Sequence, residues 1–342
     1  MAASALLLGA VSCAEKKAES PAKKEISVQL YSIRSVIGNP ELYAQNHEEA
    51  FKALAEMGYT SVEAACYSDG KLYGVDPGQY KADLEAAGLK SLSTHIGHDL
   101  SDEELASGDF TESMKWWDQA IAAHKEAGCK YIVCPGFKVP ETLAGLKTYC
   151  DYFNAIGAKC KENGMLFGYH NHSHEFKKIE DTVIYEYMLE NTDPELVFFE
   201  MDVYWAVMGK AYPVELFRKY PGRFTLLHIK DHRELGESGM VGFDAIFKNA
   251  DIAGMKDFVV EIEAFTNGDW KESMKMCADY LLNSDFVKAS YKASYSFMSH
   301  SRNGRNMIPD RSFFCAHLFL LYILIFTSLP ANLEKLPYFY YI

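Results

Sequence analysis

Between residues 26 and 288, short apolar runs rich in β-branched and aromatic residues alternate with longer stretches of helical periodicity. Eight of the short runs have the length and composition of β-strands. These runs are 26–31, 61–66, 90–96, 131–135, 166–172, 197–202, 225–230 and 258–262. Several are almost wholly apolar, as expected of strands that are buried on both faces. The pattern therefore predicts a parallel sheet whose strands are joined by helices.

The helical stretches have start and stop signals. We predict helices at 46–57, 77–87, 111–127, 141–163, 181–190, 213–220, 243–250 and 270–283. Four of them are followed by a glycine, which suits a left-handed C-cap. These glycines are Gly58, Gly88, Gly128 and Gly164. Three helices have a proline at their start, where a missing N–H is tolerated. These prolines are Pro77, Pro140 and Pro213.

The repeat of strand and helix is about 33 residues long, the size of a βα unit. Eight such units in one α/β domain predict a (β/α)8 TIM barrel over residues 26–288. A doubly wound open sheet is the alternative. That fold favours a glycine-rich phosphate loop after the first strand, and residues 29–34 contain no glycine.

Polar side chains gather at the carboxyl ends of the last four predicted strands, where barrel enzymes build their active sites. His170, Asp202, His228 and Glu261 follow one another at intervals of 32, 26 and 33 residues. Each interval is about one βα unit, so we expect the four side chains to converge above the barrel. Mixed imidazole and carboxylate ligands suit Mn²⁺, Co²⁺, Zn²⁺ or Fe²⁺ better than Ca²⁺. The sequence thus predicts a divalent metal site.

Other residues at strand ends are candidates for contact with a substrate. Glu63 and His95 lie in the second and third predicted strands, and Glu175 follows the fifth. Trp205 comes just after Asp202 and is a candidate for stacking against a sugar ring. Packing in the core is the alternative for the tryptophan.

The net charge of the chain disfavours one class of binding partner. The chain has 342 residues and a formal net charge of −13. Residues 289–342 carry five Lys or Arg and two Asp or Glu, a net of +3, which leaves −16 on residues 1–288. An acidic surface repels phosphate backbones, so we expect no nucleic-acid partner.

The two ends differ in character from the repeat. Residues 1–25 contain a short apolar run that ends at Cys13 and resembles a bacterial lipoprotein signal, although no positive charge precedes Lys16. This predicts an exported protein, periplasmic or attached to the membrane through lipidated Cys13. A cytoplasmic protein with an apolar N-terminus is the alternative. Residues 289–342 suggest a frameshifted or read-through tail, and the alternative is a tail anchor built on 313–326, a run short for a membrane span.

Several of these segments together resemble the xylose isomerase-like sugar phosphate isomerase/epimerase superfamily, in a branch exported by bacteria. They are residues 28–34, 169–172 with 175–176, 227–231 and 259–263. The resemblance covers residues 26–288 and implies a TIM barrel with a Mn²⁺-type site, although Co²⁺, Zn²⁺, Fe²⁺ and Mg²⁺ stay open. It implies ligands at Asp202, His228 and Glu261. His170 stands where the epimerases carry a glutamate, which puts their symmetric two-glutamate mechanism in doubt.

We expect a metal-dependent isomerase or epimerase that removes a proton next to the carbonyl of a sugar or keto-sugar. Glu261 is the expected base, His170 or Glu175 would return the proton, and Lys230 would stabilise the oxyanion. A 3-keto-glycoside lyase on the same scaffold is one alternative. A non-catalytic sugar-binding lipoprotein is another, and a metal-dependent nuclease is disfavoured by the negative charge.

Overall fold

The strands form a closed barrel, so the predicted (β/α)8 TIM barrel is confirmed. The computed structural model describes residues 23–291. Its eight parallel barrel strands are Ser27–Gln29, Ser61–Ala64, Lys90–His95, Tyr131–Cys134, Leu166–His170, Val197–Asp202, Leu226–Lys230 and Asp257–Glu261. Each strand pairs with its neighbours in chain order, and the first also pairs with the eighth through Ser27 and Val259.

Eight main helices follow the strands and surround the barrel. They are Pro40–Met57, Pro77–Ala86, Thr111–Glu126, Leu143–Glu162, Ile184–Asn191, Pro213–Lys219, Phe243–Lys248 and Trp270–Asn283. Shorter helices lie at Arg34–Ile37, Asp102–Ser107, Val203–Met208 and Ala250–Ala253. Two small hairpins pair Tyr67–Ser68 with Lys71–Leu72 and Lys178–Ile179 with Thr182–Val183.

The helix signals predict most of the starts and stops closely, but the first, fourth and fifth helices do not begin at the predicted residues 46, 141 and 181. The first helix begins at Pro40 rather than residue 46, because Asn39 caps it by accepting a hydrogen bond from the backbone N–H of Leu42. Pro140 lies outside its helix, which begins at Leu143 after the cap Thr142. Gly58 has a φ of 107°, as a left-handed C-cap requires.

The barrel interior is apolar at its lower end. Tyr131, Val133, Phe198 and Leu226 form a separate buried cluster inside the strands. Gly168 belongs to this layer because an added Cβ would lie 2.4 Å from Cε2 of Phe198. Since side chains alternate along a strand, the inward positions after Phe198 are Glu200 and then Asp202. The interior therefore changes from apolar to polar toward the carboxyl ends of the strands.

The predicted lipoprotein-type segment with Cys13 and the unusual tail lie outside the described residues, except for 23–25 and 289–291. Within residues 23–291, no helix has the length and apolar character needed to cross a membrane.

Candidate metal centre

Strand register brings the polar side chains together. Asp202 pairs with His228 across the sixth and seventh strands, and Lys230 pairs with Glu261 across the seventh and eighth. His170 pairs with Glu200, two residues before Asp202 on the same strand. His170 and Glu200 therefore lie one layer deeper in the barrel than Asp202.

Three of the four predicted metal ligands meet in one cluster. Nδ1 of His228 lies 3.8 Å from Oδ2 of Asp202 and 3.7 Å from Oε2 of Glu261. All three side chains are buried, with at most 7% of a side chain exposed. Their candidate ligand atoms all lie within 4.8 Å of one another. One imidazole and two carboxylates thus face a common point.

Two atoms at this point, one from Asp202 and one from His228, have no hydrogen-bond partner, and such unsatisfied buried atoms test whether the residues suit a cation. Oδ1 of Asp202 accepts a hydrogen bond from the backbone N–H of Trp205, but its buried Oδ2 makes none. Nδ1 of His228 is also buried and unpartnered. Burial raises the pKa of Asp202 to about 7, since Lys230 and His228 offset the lost solvation only in part. A divalent cation would complement this carboxyl, so the donor set fits a metal.

His228 is held in the orientation that leaves Nδ1 free. Its Nε2–H donates to Oε1 of Glu63 at 2.7 Å, and Gln29 donates to the same oxygen at 2.8 Å. A carboxylate that accepts from the far nitrogen fixes the tautomer of a ligating histidine and increases its basicity. Glu63 and His228 are both 0% exposed. Glu63 therefore positions a ligand.

Lys230 lies between two carboxylates. Its Nζ is 3.5 Å from Oε2 of Glu261 and 3.3 Å from Oε1 of Glu263. Burial alone would raise the pKa of Glu261, but the charges of His228 and Lys230 outweigh this effect and lower it. Glu261 is therefore ionised at neutral pH, as a base must be.

His170 belongs to a second, deeper group. It gathers with His95, Glu200 and His228, and the structure does not place it with Asp202 and Glu261. Burial and the nearby imidazoles of His228 and His95 lower the pKa of His170 well below its ordinary value. Burial and the charge of Glu63 raise the pKa of Glu200.

A cavity of about 340 Å³ opens above these groups. Its lining residues are Tyr31, Ala65, His95, Pro135, His170, His172, Glu261 and Glu263. None of these described lining residues is a lysine or an arginine. The cavity therefore combines imidazoles, carboxylates and an exposed tyrosine ring.

A comparison with models of protein families identifies the family of this chain. A family model for the xylose isomerase-like TIM barrel matches residues 51–280. The chain belongs to this family. The resemblance inferred from the sequence motifs is thus confirmed at the level of the superfamily.

Relatives of this xylose isomerase-like barrel carry the names of enzymes. The chain is 36% identical to a solved sugar phosphate isomerase/epimerase from Parabacteroides distasonis ATCC 8503. The two structures align with a TM-score of 0.70, and the alignment covers 78% of this chain and 100% of that one. It is 28% identical to the inosose dehydratase of Geobacillus kaustophilus (strain HTA426) over 54% of this chain, and the match spans 62% of that enzyme. The inosose dehydratase of Bacillus cereus (strain AH820) is 27% identical over 66% of this chain and 85% of its own length.

The four residues predicted to touch substrate have different places in this xylose isomerase-like barrel. His95 lines the cavity. Glu63 lies beneath it and accepts from His228. Glu175 is fully buried, and its two oxygens accept from the hydroxyl of Tyr169 and the backbone N–H of His172. Its environment indicates that it orders the loop after the fifth strand.

Trp205 is partly buried beside the metal cluster, and Nζ of Lys230 lies 5.7 Å from the centre of its ring. It is not among the residues that line the cavity. This arrangement is a cation–π contact, which supports the position of Lys230.

Sequence reasoning missed Glu200, His172 and Glu263. Glu200 is fully buried and contacts His95, and both His172 and Glu263 line the cavity. Glu200 had a usable signal, because a carboxylate two residues before Asp202 in an otherwise apolar strand points inward and needs a partner.

Proposed function

We propose that this chain is a metal-dependent enzyme that removes the proton next to the carbonyl of a keto-sugar or keto-polyol. The observation that carries the proposal is the cluster of Asp202, His228 and Glu261, in which Oδ2 of Asp202 and Nδ1 of His228 are buried without a partner at the base of a cavity. An ionised carboxylate lies in the same cluster. The names of the relatives, inosose dehydratase and sugar phosphate isomerase/epimerase, support a reaction on a sugar-like molecule.

Asp202, His228 through Nδ1, and Glu261 would hold the cation. A divalent cation bound there would act as a Lewis acid that stabilises negative charge on a substrate oxygen. Two carboxylates and one imidazole are compatible with Mn²⁺, the metal that the family resemblance favours, and other divalent ions remain candidates.

The protein groups supply the proton chemistry. Glu261 lines the cavity and is ionised, so it accepts the proton from the carbon next to the carbonyl. Lys230 supplies positive charge 3.5 Å from Glu261, where it keeps the carboxylate ionised and favours the negative charge that develops on the substrate.

The charge of the cavity indicates an uncharged substrate. Glu261 and Glu263 line the cavity, while the nearby cation Lys230 is already flanked by both. A phosphate group would meet these carboxylates without a lysine or an arginine among the described lining residues. We therefore infer that neutral keto-sugars and keto-polyols bind in preference to sugar phosphates.

Removal of the proton leads to two outcomes. Loss of a β-hydroxyl as water, or of a β-glycosidic substituent as an alcohol, with a proton taken up by the leaving oxygen, would make the protein a dehydratase or lyase, and the named inosose dehydratases favour this outcome. Return of the proton would make it an isomerase or epimerase. The 36% identical solved structure, described as a sugar phosphate isomerase/epimerase, favours this second candidate.

The test is solvent deuterium exchange, which reports proton removal whichever product forms. The purified chain, loaded with Mn²⁺, is incubated in D2O with inosose, 3-keto-glucosides and ketoses, and recovered substrate and products are measured by mass spectrometry and absorbance of the enone. Glu261→Gln is expected to lower the rate at least about 100-fold. Glu195→Gln changes an exposed carboxylate just before the sixth strand, at the opposite end of the barrel, and is the matched control.

Two results would contradict the proposal. One is a rate in Glu261→Gln equal to that of the control. The other is binding of a keto-sugar, measured by calorimetry, that survives both chelation and Glu261→Gln while no deuterium enters any substrate. The latter result would identify a non-catalytic sugar-binding protein.

A further inference from the structure

The deeper group of side chains contains an unusual convergence of nitrogen atoms. Oε2 of Glu200 lies 2.7 Å from Nε2 of His95, 3.3 Å from Nδ1 of His170 and 3.4 Å from Nε2 of His228. Nε2 of His95 donates a hydrogen bond to this oxygen, and Nε2 of His228 donates to Glu63 instead. Hydrogen bonding therefore accounts for two of the three nitrogens and leaves Nδ1 of His170 unexplained.

Two buried atoms of the group have no hydrogen-bond partner. Nδ1 of His170 makes no hydrogen bond, although it lies 3.3 Å from Oε2 of Glu200. Oε1 of Glu200 is also buried without a partner. Nδ1 of His170 and Oε2 of Glu200 thus lie close together without bonding to each other, as two ligand atoms that point at a shared centre do.

One of the distances matches the edge of a four-coordinate site. Zinc bonds of about 2.0–2.1 Å in a tetrahedron place ligand atoms about 3.3 Å apart. The separation between Oε2 of Glu200 and Nδ1 of His170 is 3.3 Å. The separation between Oε2 of Glu200 and Nε2 of His95 is 2.7 Å, the length of a hydrogen bond, and this contact would open when a cation binds between the two atoms. Nε2 of His228 lies closer to Glu63, at 2.7 Å, than to Glu200. We assign that nitrogen to Glu63, which leaves three protein ligands in the group.

We propose that Nε2 of His95, Nδ1 of His170 and Oε2 of Glu200 hold a second divalent cation, one layer below the cluster of Asp202, His228 and Glu261. Two imidazoles and one carboxylate with short separations suit Zn²⁺ or Co²⁺. The side chains of His170 and Glu200 are at most 2% exposed and that of His95 is 10% exposed. His95 and His170 line the cavity, so water from the cavity completes the site.

The test counts bound metal in the full chain. The protein is stripped with a chelator, equilibrated with Zn²⁺ alone, passed through gel filtration and analysed by mass spectrometry for zinc. The proposal predicts two Zn²⁺ per chain in the wild type. It predicts one Zn²⁺ per chain in Glu200→Gln and one in Asp202→Asn. Affinity for the zinc lost in Glu200→Gln is expected to fall at least about 100-fold, since a lost ligand costs more than a lost outer partner. Glu195→Gln is the control and keeps two.

Each outcome decides between the two sites. The second site is refuted if Glu200→Gln keeps the wild-type count, or if the folded wild type binds one zinc that Asp202→Asn alone removes. In both cases the proposed function stands as long as Asp202→Asn loses a zinc. If Asp202→Asn keeps the full count while Glu200→Gln loses one zinc, the second site stands and the proposed function fails. Cobalt absorption of the wild type gives a reading that needs no variant. A second equivalent with strong tetrahedral bands supports the proposal, and the absence of such bands overturns it.

Discussion

The bond between Glu63 and His228 gives the sharpest prediction about how the protein tunes its proposed metal site. Oε1 of Glu63 accepts from Nε2 of His228 at 2.7 Å, in a region where both side chains are 0% exposed. The substitution Glu63→Gln keeps the shape and an acceptor oxygen but removes the charge. It therefore tests the electrostatic part of the bond.

The magnitude follows from the type of hydrogen bond. A hydrogen bond to a charged group contributes about 1.5–3 kcal/mol, and a neutral one about 0.5–1.5 kcal/mol. Losing the charge therefore costs about 1–1.5 kcal/mol, which is roughly a fivefold to tenfold weaker binding of Mn²⁺. Glu63→Ala removes the acceptor as well and leaves Gln29 without its partner, so its loss approaches about 100-fold.

Calorimetric titration of the chelator-stripped chain with Mn²⁺ measures both effects. Circular dichroism verifies that each variant is folded, and Glu195→Gln is the control for a change of charge alone. The expected order of affinity is wild type, then Glu63→Gln, then Glu63→Ala. Equal Mn²⁺ affinity in all three proteins would show that Glu63 does not position His228 for a metal.

Three further predictions concern stability. Gly168→Ala places a Cβ against the ring of Phe198 and is expected to lower the free energy of unfolding by about 1–3 kcal/mol, measured by urea denaturation. An unchanged midpoint of the urea transition would contradict the packing inside the barrel. Burial lowers the pKa of His124 to about 4, so the folded state stays neutral while the unfolded state takes up a proton below pH 6.5. Stability is expected to fall by up to about 3 kcal/mol between pH 6.5 and 4, and His124→Gln should flatten that part of the profile. Asn39→Ala removes a helix cap and should cost about 1 kcal/mol, and a loss below about 0.3 kcal/mol would argue against the cap.

The fold was predictable because its signals are local and repeated. Each βα unit contains an apolar strand, a helix of regular periodicity and a cap, and eight repeats reinforce one another. Boundaries were less certain where a cap lies apart from the periodic part of the helix, as at Asn39 and Pro40. The fifth strand was predicted to reach His172 but ends at His170, because the chain leaves the barrel to form the loop held by Glu175.

The site was predictable in its composition and less so in its grouping. Spacing along the chain located Asp202, His228 and Glu261 at the ends of neighbouring strands, and the structure brings these three together. The spacing of residues along the sequence does not show how deep each side chain lies inside the barrel. His170 is one layer lower and joins Glu200, a difference set by strand register rather than by the number of residues in a repeat.

The most direct test of the central claim is a crystal of the full chain soaked in Mn²⁺ and measured at an energy where manganese scatters anomalously. We predict a strong anomalous peak about 2.2 Å from Oδ2 of Asp202, Nδ1 of His228 and a carboxylate oxygen of Glu261. A peak bound elsewhere, or no peak at these three side chains under saturating Mn²⁺, would contradict the account.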